Sequence, residues 1–321
     1  MRAIVCNEFG APLALEERPE PEPGPGQLGV AIAAAGLNYV DALFVRGEYQ
    51  IKPPLPFVPG SEIAGTICAV GEGVEAFEPG DRVLAMTGMG GFAERVLLDA
   101  AAAVRVPAAL SDGQAAAFVQ SYSTALFALR ERGRLRAGES LLVLGAAGGV
   151  GRAAIDVGKA LGARVIAAAS TDEKLAACRA LGADACIRYG DEDLKTRARE
   201  LSGGGVDVVF DPVGAAFAEP ALRALGFDGR LLVIGFAGGA IPKVPLNQVL
   251  LRNRNVVGVD WGAWMLGHGA EQRALLGELL AWAGEGRLHP SEPVRYPLED
   301  ASRAIDDLLH RRINGKAALV P

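Results

Sequence analysis

Residues 140–155, SLLVLGAAGGVGRAAI, constrain the fold of this chain more than any other segment. The apolar run Ser140–Gly145 reads as a buried strand, and Gly149–Leu161 reads as the helix that follows it. Between them Gly145, Gly148 and Gly151 are spaced G-x-x-G-x-x-G, a variant of the dinucleotide-binding fingerprint. Lacking side chains, Gly148 and Gly149 let the backbone approach a pyrophosphate. Gly151 lets the helix pack close to the strand. The first amides of the helix, that of Val150 among them, offer N–H groups and a partial positive charge to the phosphates. A tight strand-to-helix turn without a ligand is the competing reading. Against it stands the next strand, Arg164–Ala169, which completes the context the fingerprint needs.

Strand and helix keep alternating after this turn. Helices are expected at Asp172–Leu181, Asp193–Leu201 and Pro220–Leu225. Strands are expected at Cys186–Ile187, Val206–Asp211, Arg230–Gly235 and Val256–Val259. Short apolar runs joined by helices predict a parallel sheet covered on both faces. The first ~115 residues differ. They read as short strands (Met1–Val5, Gln27–Ala34, Ile63–Val70, Arg82–Ala85, Glu94–Leu98) between Pro- and Gly-rich turns. A helix is expected over Asp112–Arg132, capped by Ser111 or Asp112. The C-terminal part reads as a helix at Gln272–Gly284, a short segment at Val294–Pro297, a helix at Leu298–Arg312 and a strand at Lys316–Val320.

The end of the second strand of the alternating region bears on the choice of dinucleotide. An NAD site usually places an acid there to hold the ribose 2′-hydroxyl. Here VIAAASTDEK puts Ala169 and Ser170 at that point. Ser170 can donate to a 2′-phosphate and Lys174 can neutralise it, which favours NADPH. A solvated helix-surface lysine is the alternative reading for Lys174. Asp172 is read as the helix N-cap, pointing away from the pocket.

Composition excludes several classes. With 38 acidic and 32 basic residues the net charge is -6, which disfavours a broad nucleic-acid-binding face or an anionic membrane surface. The four cysteines are scattered, so neither a disulfide framework nor a Cys-rich zinc site is expected. No apolar run reaches the roughly 18 residues needed to span a bilayer, and the chain starts without a signal-peptide pattern. A cytoplasmic location is expected. No G-x-S-x-G element supports a hydrolase.

Several segments occur in an order that resembles one family: GLNYVDALFVRGEY, VPGSEIAG, GAAGGVG, LGAD and NGKAALVP. The chain resembles the medium-chain dehydrogenases/reductases, in their zinc-free quinone oxidoreductase (zeta-crystallin-like) branch. The fold class expected is α/β: a Rossmann doubly wound parallel sheet domain plus a β-rich GroES-like catalytic domain. The boundaries expected are 1–118 completed by 263–321 for the GroES-like domain, and 119–262 for the NADP-binding domain. Where zinc-dependent relatives carry Cys, His and Cys, this chain has Asn38, Ser61 and Gln120. None is a thiolate or imidazole, so no metal is expected.

The resemblance implies NADPH-dependent reduction of a substrate that is already electrophilic, a quinone or an activated alkene, held against the nicotinamide in a cleft. It places Asn38, Tyr49 and Thr124 near the reacting groups. It places Ser170, Lys174, Tyr189 and Arg311 around the 2′-phosphate, with Arg312 as an alternative to Arg311. It places Gly235, Phe236, Ala237, Asp260 and Trp261 against the nicotinamide half. A packed loop aromatic (Tyr49) and a capping amide (Asn38) are the competing readings of those two. Two further functions stay open: an alkenal, enone or enoyl-thioester reductase, and a non-catalytic NADPH-binding sensor or RNA-binding protein. A homodimer is implied through the strand VVGVDWG.

Overall fold

A computed structural model describes all of residues 1–321. Two compact units are present: Met1–Gln120 together with Pro290–Pro321, and Ser121–His289. Strands β1–β15 and helices α1–α11 are numbered along the chain.

In the first unit, β1 (Arg2–Val5) and β2 (Ala14–Glu17) form an antiparallel pair. The main sheet uses β3 (Gln27–Leu37), β4 (Glu62–Val70), β5 (Arg82–Met86), β6 (Arg95–Asp99), β7 (Val104–Arg105), β14 (Val294–Pro297) and β15 (Ala317–Val320). Its order is β14-β15-β3-β4-β5-β7, with β6 also paired to β3. Helices α1 (Tyr39–Arg46), α2 (Asp112–Ala116) and α11 (Ala301–Leu309) belong to this unit. Leu28, Val30, Ile63, Ile67, Val83, Phe92 and Leu319 are buried in one core. The long strand β3 is the spine of the unit, because β4, β6 and β15 all pair with it.

The second unit contains β8 (Ser140–Val143), β9 (Arg164–Ala169), β10 (Ala185–Arg188), β11 (Val206–Asp211), β12 (Leu225–Val233) and β13 (Asn255–Gly258). The order β10-β9-β8-β11-β12-β13 is parallel throughout. Numbered from β8, this is the 3-2-1-4-5-6 order of the doubly wound dinucleotide fold. Helices α4 (Gly149–Ala160), α5 (Asp172–Ala180), α6 (Leu194–Leu201) and α7 (Ala218–Ala224) are the crossovers, and α8 (Leu246–Leu250) follows β12. Every residue of β8 is buried, as expected of a central parallel strand.

Beyond elements it adds, such as β2, α1 and α9 (Trp261–Gly267), and a β12 that begins at Leu225, the structure departs from the sequence reading at a helix, a cap and a domain boundary. The helix expected over Asp112–Arg132 is broken into α2, α3 (Val119–Leu126) and a π-helical turn at Phe127–Arg132. Ser111 caps α2, accepting from the Gln114 amide at 3.1 Å while the Gln114 side chain accepts from the Ser111 amide. Thr171, not Asp172, caps α5 through the Lys174 amide. The stretch 263–289, given above to the first domain, lies in the second unit. There α9 (Trp261–Gly267) and α10 (Gly269–Gly284) are tied in by the Trp261 indole, which donates to Gln272 Oε1 at 2.8 Å, and by Trp264 stacked on Phe127 at 4.6 Å.

Candidate functional site

The glycine-rich turn links β8 to α4. Gly148 is the N-cap of α4, makes no side-chain cap, and is followed by a first turn without acids. The leading amides of a twelve-residue helix are therefore not satisfied by any capping side chain. A Cβ on Gly151 would lie 2.4 Å from the Gly145 carbonyl oxygen, so only glycine permits this approach of helix to turn. A Cβ on Gly148 would meet only Gly145 O, at 3.4 Å. The turn is braced by Arg152 Nε donating to Ala147 O at 3.1 Å. It is also held by the Gly145 amide donating to the Tyr189 hydroxyl at 2.7 Å. These features fit a pyrophosphate held by the amides from Gly149 and Val150 onward.

At the end of β9, Ser170 is exposed and Lys174 is half-buried in the first turn of α5. Tyr189 follows β10, with its ring against Phe217 at 4.3 Å and its hydroxyl on Gly145. Its side chain thus extends from the β10 end to the glycine-rich turn. Asp172 is bound to Arg188, Nη1 to Oδ2 at 2.9 Å. Sequence reasoning did not single out Arg188, the last residue of the largely half-buried β10, which the sheet sets in register with Ala169.

The loop Gly235–Phe236–Ala237 follows β12. The Ala237 amide donates to Pro212 O at 3.0 Å, and Gly238 donates to Val213 O at 2.8 Å. Phe236 is partly exposed and packs near Gly214, where a Cβ would lie 2.9 Å from its ring. Asp260 caps α9 by accepting from the Ala263 amide at 3.0 Å. Trp261 is 6% exposed and bonded to Gln272. Both side chains expected to close over a nicotinamide are thus engaged within their own unit. Thr124 lies half-buried on α3.

In the first unit the structure gathers Asn38, Ser61 and Gln120 and adds Glu62, Asp41 and Lys316, which sequence reasoning left out. Asn38 is the N-cap residue of α1, at the end of β3, while Glu62 opens β4 and Ser61 immediately precedes it. The Asn38 Nδ2 group donates to Ser61 Oγ at 3.2 Å and to Glu62 Oε1 at 2.9 Å. Ser61 Oγ donates to Gln120 Oε1 at 3.3 Å, and the Gln120 amide donates to Glu62 Oε2 at 2.9 Å. Lys316 Nζ donates to Asn38 Oδ1 and, at 2.8 Å, to Glu62 Oε1. Both protons of the Asn38 amide are therefore engaged inside the cluster, and it keeps only acceptor capacity on Oδ1. Asp41 is fully buried and accepts from the Asn38 backbone amide at 2.8 Å, while its other oxygen has no hydrogen-bond partner. Burial pushes its carboxyl up to about 7, against the pull of the Asn38 backbone amide and of Lys316; Glu62 pushes the same way as burial. Tyr49, after α1, is half-buried with its ring edge-on to Phe44 at 4.9 Å.

Arg311 is exposed in the left-handed backbone region (φ 59°), just past α11. Its neighbour Arg312 is held by Asp306 and Asp307 at 2.9 and 2.7 Å, which commits that guanidinium to its own unit. No group of three or more His, Cys, Asp or Glu is arranged to hold a metal ion. No helix is long and apolar enough to cross a membrane.

Residues 24–108 match the model of the alcohol dehydrogenase GroES-like domain, and residues 149–278 match that of the zinc-binding dehydrogenases. Quinone oxidoreductase-like protein 2 of Bos taurus is 38% identical over 99% of this chain and 92% of its own length. Among solved structures, the quinone oxidoreductase of Thermus thermophilus, known also as its complex with NADPH, is 37% identical with a TM-score of 0.87, covering 100% of both chains. The Escherichia coli quinone oxidoreductase complexed with NADPH is 32% identical with a TM-score of 0.89, again covering 100% of both. With the 3-2-1-4-5-6 sheet, the glycine-led helix and a GroES-like unit all present, the chain belongs to the medium-chain dehydrogenase/reductase superfamily, in its quinone oxidoreductase branch.

Proposed function

We propose that this chain is a zinc-independent, NADPH-dependent oxidoreductase that delivers a hydride to an electrophilic acceptor, with a quinone as the acceptor class. The observation that carries the cofactor reading is the end of β9. It offers Ser170 and Lys174 where an NAD site would present an acid, beside a helix N-terminus with no side-chain cap. The reduced nicotinamide, when bound, supplies the hydride. Gly148, Gly149 and Val150 would hold the pyrophosphate, and Ser170, Lys174 and Tyr189 the phosphorylated ribose.

Zinc independence is supported by the donor set itself. Asn38, Ser61 and Gln120 supply two amides and a hydroxyl, and an ammonium already rests on Asn38 Oδ1. A divalent cation gains little from such ligands and is repelled by Lys316. Without a Lewis acid the substrate must be electron-poor on its own account, as quinones and activated alkenes are. The chain is further proposed to pair with a second copy through β13, the outer strand of the parallel sheet, whose Val256 is exposed.

The test is steady-state turnover with NADPH and NADH against a naphthoquinone, an alkenal and an acyl-thioester with an α,β double bond. Fastest turnover of the quinone with NADPH supports the reading. Preference for either other acceptor moves the substrate class. Tight NADPH binding with no turnover at all would make the chain a binding protein.

A further inference from the structure

We propose that Arg188 sets the preference for the phosphorylated cofactor by acting as the counter-charge of Asp172, so that no free carboxylate faces the 2′-phosphate at the end of β9. This rests on the NADPH reading above and adds a residue which that reading does not contain. β10 runs parallel to β9, and Arg188 is in register with Ala169, the last residue of β9. The Tyr189 amide donates to Ala169 O at 2.9 Å, so the two strand ends are joined where Ser170 begins. Asp172 is the first acid after Ala169. An acid at this point favours a ribose hydroxyl and repels a phosphate.

The Arg188 guanidinium takes up that acid. Nη1 bonds Asp172 Oδ2 at 2.9 Å, and Nε lies 3.0 Å from Asp191 Oδ2. The other charged groups at this end are Glu173, Lys174 and Glu192. Glu192 accepts from the Arg188 amide at 2.8 Å and pairs with Arg197 at 3.0 Å. Asp172, Glu173, Asp191 and Glu192 outnumber Lys174, Arg188 and Arg197 in these two segments, so removing Arg188 shifts the local balance further toward negative. The Arg188 and Asp172 side chains are 40% and 80% exposed. Such a pair adds little to stability. It governs what a dianionic group meets on arrival, because two like charges close together in a partly screened site repel strongly.

Dissociation constants for NADPH and NADH, measured by fluorescence titration of the full chain, test this. Arg188→Ala is expected to weaken NADPH about tenfold and leave NADH within about twofold or tighter. Arg188→Lys should retain most of the NADPH affinity. Asp172→Asn placed on Arg188→Ala should restore most of what was lost, since the acid being countered is gone. Equal weakening of both cofactors would mean that Arg188 only holds the β10 end together, and would overturn the proposal. A double variant as weak as Arg188→Ala would make Arg188 a direct phosphate ligand and overturn it too. A native chain that binds NADPH while Arg188→Ala is indifferent sinks this inference alone. A native chain that binds no NADPH sinks the proposed function and this inference with it.

Discussion

Lys316 Nζ sits 2.8 Å from Glu62 Oε1, with the glutamate side chain 0% and the lysine side chain 11% exposed, although the two residues are 254 positions apart. The pair joins β15 to β4 across β3 and orients the Asn38 amide between them. Replacing one member of such a buried pair strands the other. Lys316→Met should destabilise the chain by about 3–5 kcal/mol in urea unfolding. Adding Glu62→Gln should recover part of that loss, because the unpaired charge disappears. Equal stability of Lys316→Met and the native chain would show that the ammonium contributes nothing here.

Asp41 predicts a specific pH dependence. Its folded-state carboxyl, raised by burial to about 7, lies above its unfolded value of 3.8. Between those values the folded state binds the proton more strongly, so stability from this group falls as pH rises from about 4 to about 7 and then levels off. The full penalty is present above pH ~7 and absent below ~4, and reaches roughly 4 kcal/mol at most. Asp41→Asn removes the titration. Other carboxylates contribute equally to both proteins, so the stability difference between them should change as pH rises from about 4 to about 7 and stay flat above that. Parallel profiles would exclude the effect.

These two predictions also mark the limit of sequence reading. Ser140–Leu161 was legible because its physics is local: an apolar run, a glycine turn and a helix follow each other within one stretch. The cap at Ser111 was legible for the same reason. Glu62 and Lys316 were not, because neither neighbour sequence nor spacing says that β15 inserts beside β3. The break of the expected long helix near Ala117 also escaped, since an Ala-rich run has helix propensity throughout and its interruption is set by tertiary packing. The partner of Trp261, the Gln272 side chain eleven positions on, was not legible either, because it lies in the next helix and is set by the packing of α9 against α10.

Two glycines should respond in opposite directions to alanine. Gly151→Ala forces a Cβ to 2.4 Å from Gly145 O, so the turn must move. A stability loss of about 1–3 kcal/mol and at least a tenfold loss of NADPH affinity, about 1.4 kcal/mol, are expected. Gly277 lies inside α10, with nothing within 4 Å of a built Cβ. Gly277→Ala should therefore raise stability by about 0.5–1 kcal/mol. Calorimetric melting of both variants checks the contrast.

Zinc independence predicts insensitivity to chelation. Dialysis against EDTA followed by assay should leave the reductase rate unchanged, and elemental analysis should find no stoichiometric zinc. Loss of activity restored by zinc would contradict the reading of Asn38, Ser61 and Gln120.

Pairing through β13 predicts that the native chain sediments as two copies, and that Val256→Lys shifts it toward one. A native monomer, or a Val256→Lys variant as dimeric as the native chain, would place the interface elsewhere or remove it.

The position of β15 has a consequence for biosynthesis. Ala317–Val320 is an interior strand, flanked by β14 on one side and β3 on the other, and it follows every other strand of its sheet along the chain. Residues 121–289 form an uninterrupted stretch that can collapse while translation continues. The sheet begun by the first hundred residues has to wait, with one side of β3 open, until β15 has been made. A nascent chain stalled before β15 would carry a finished nucleotide fold and an incomplete sheet, with an apolar strand edge exposed to chaperones and to other unfinished chains.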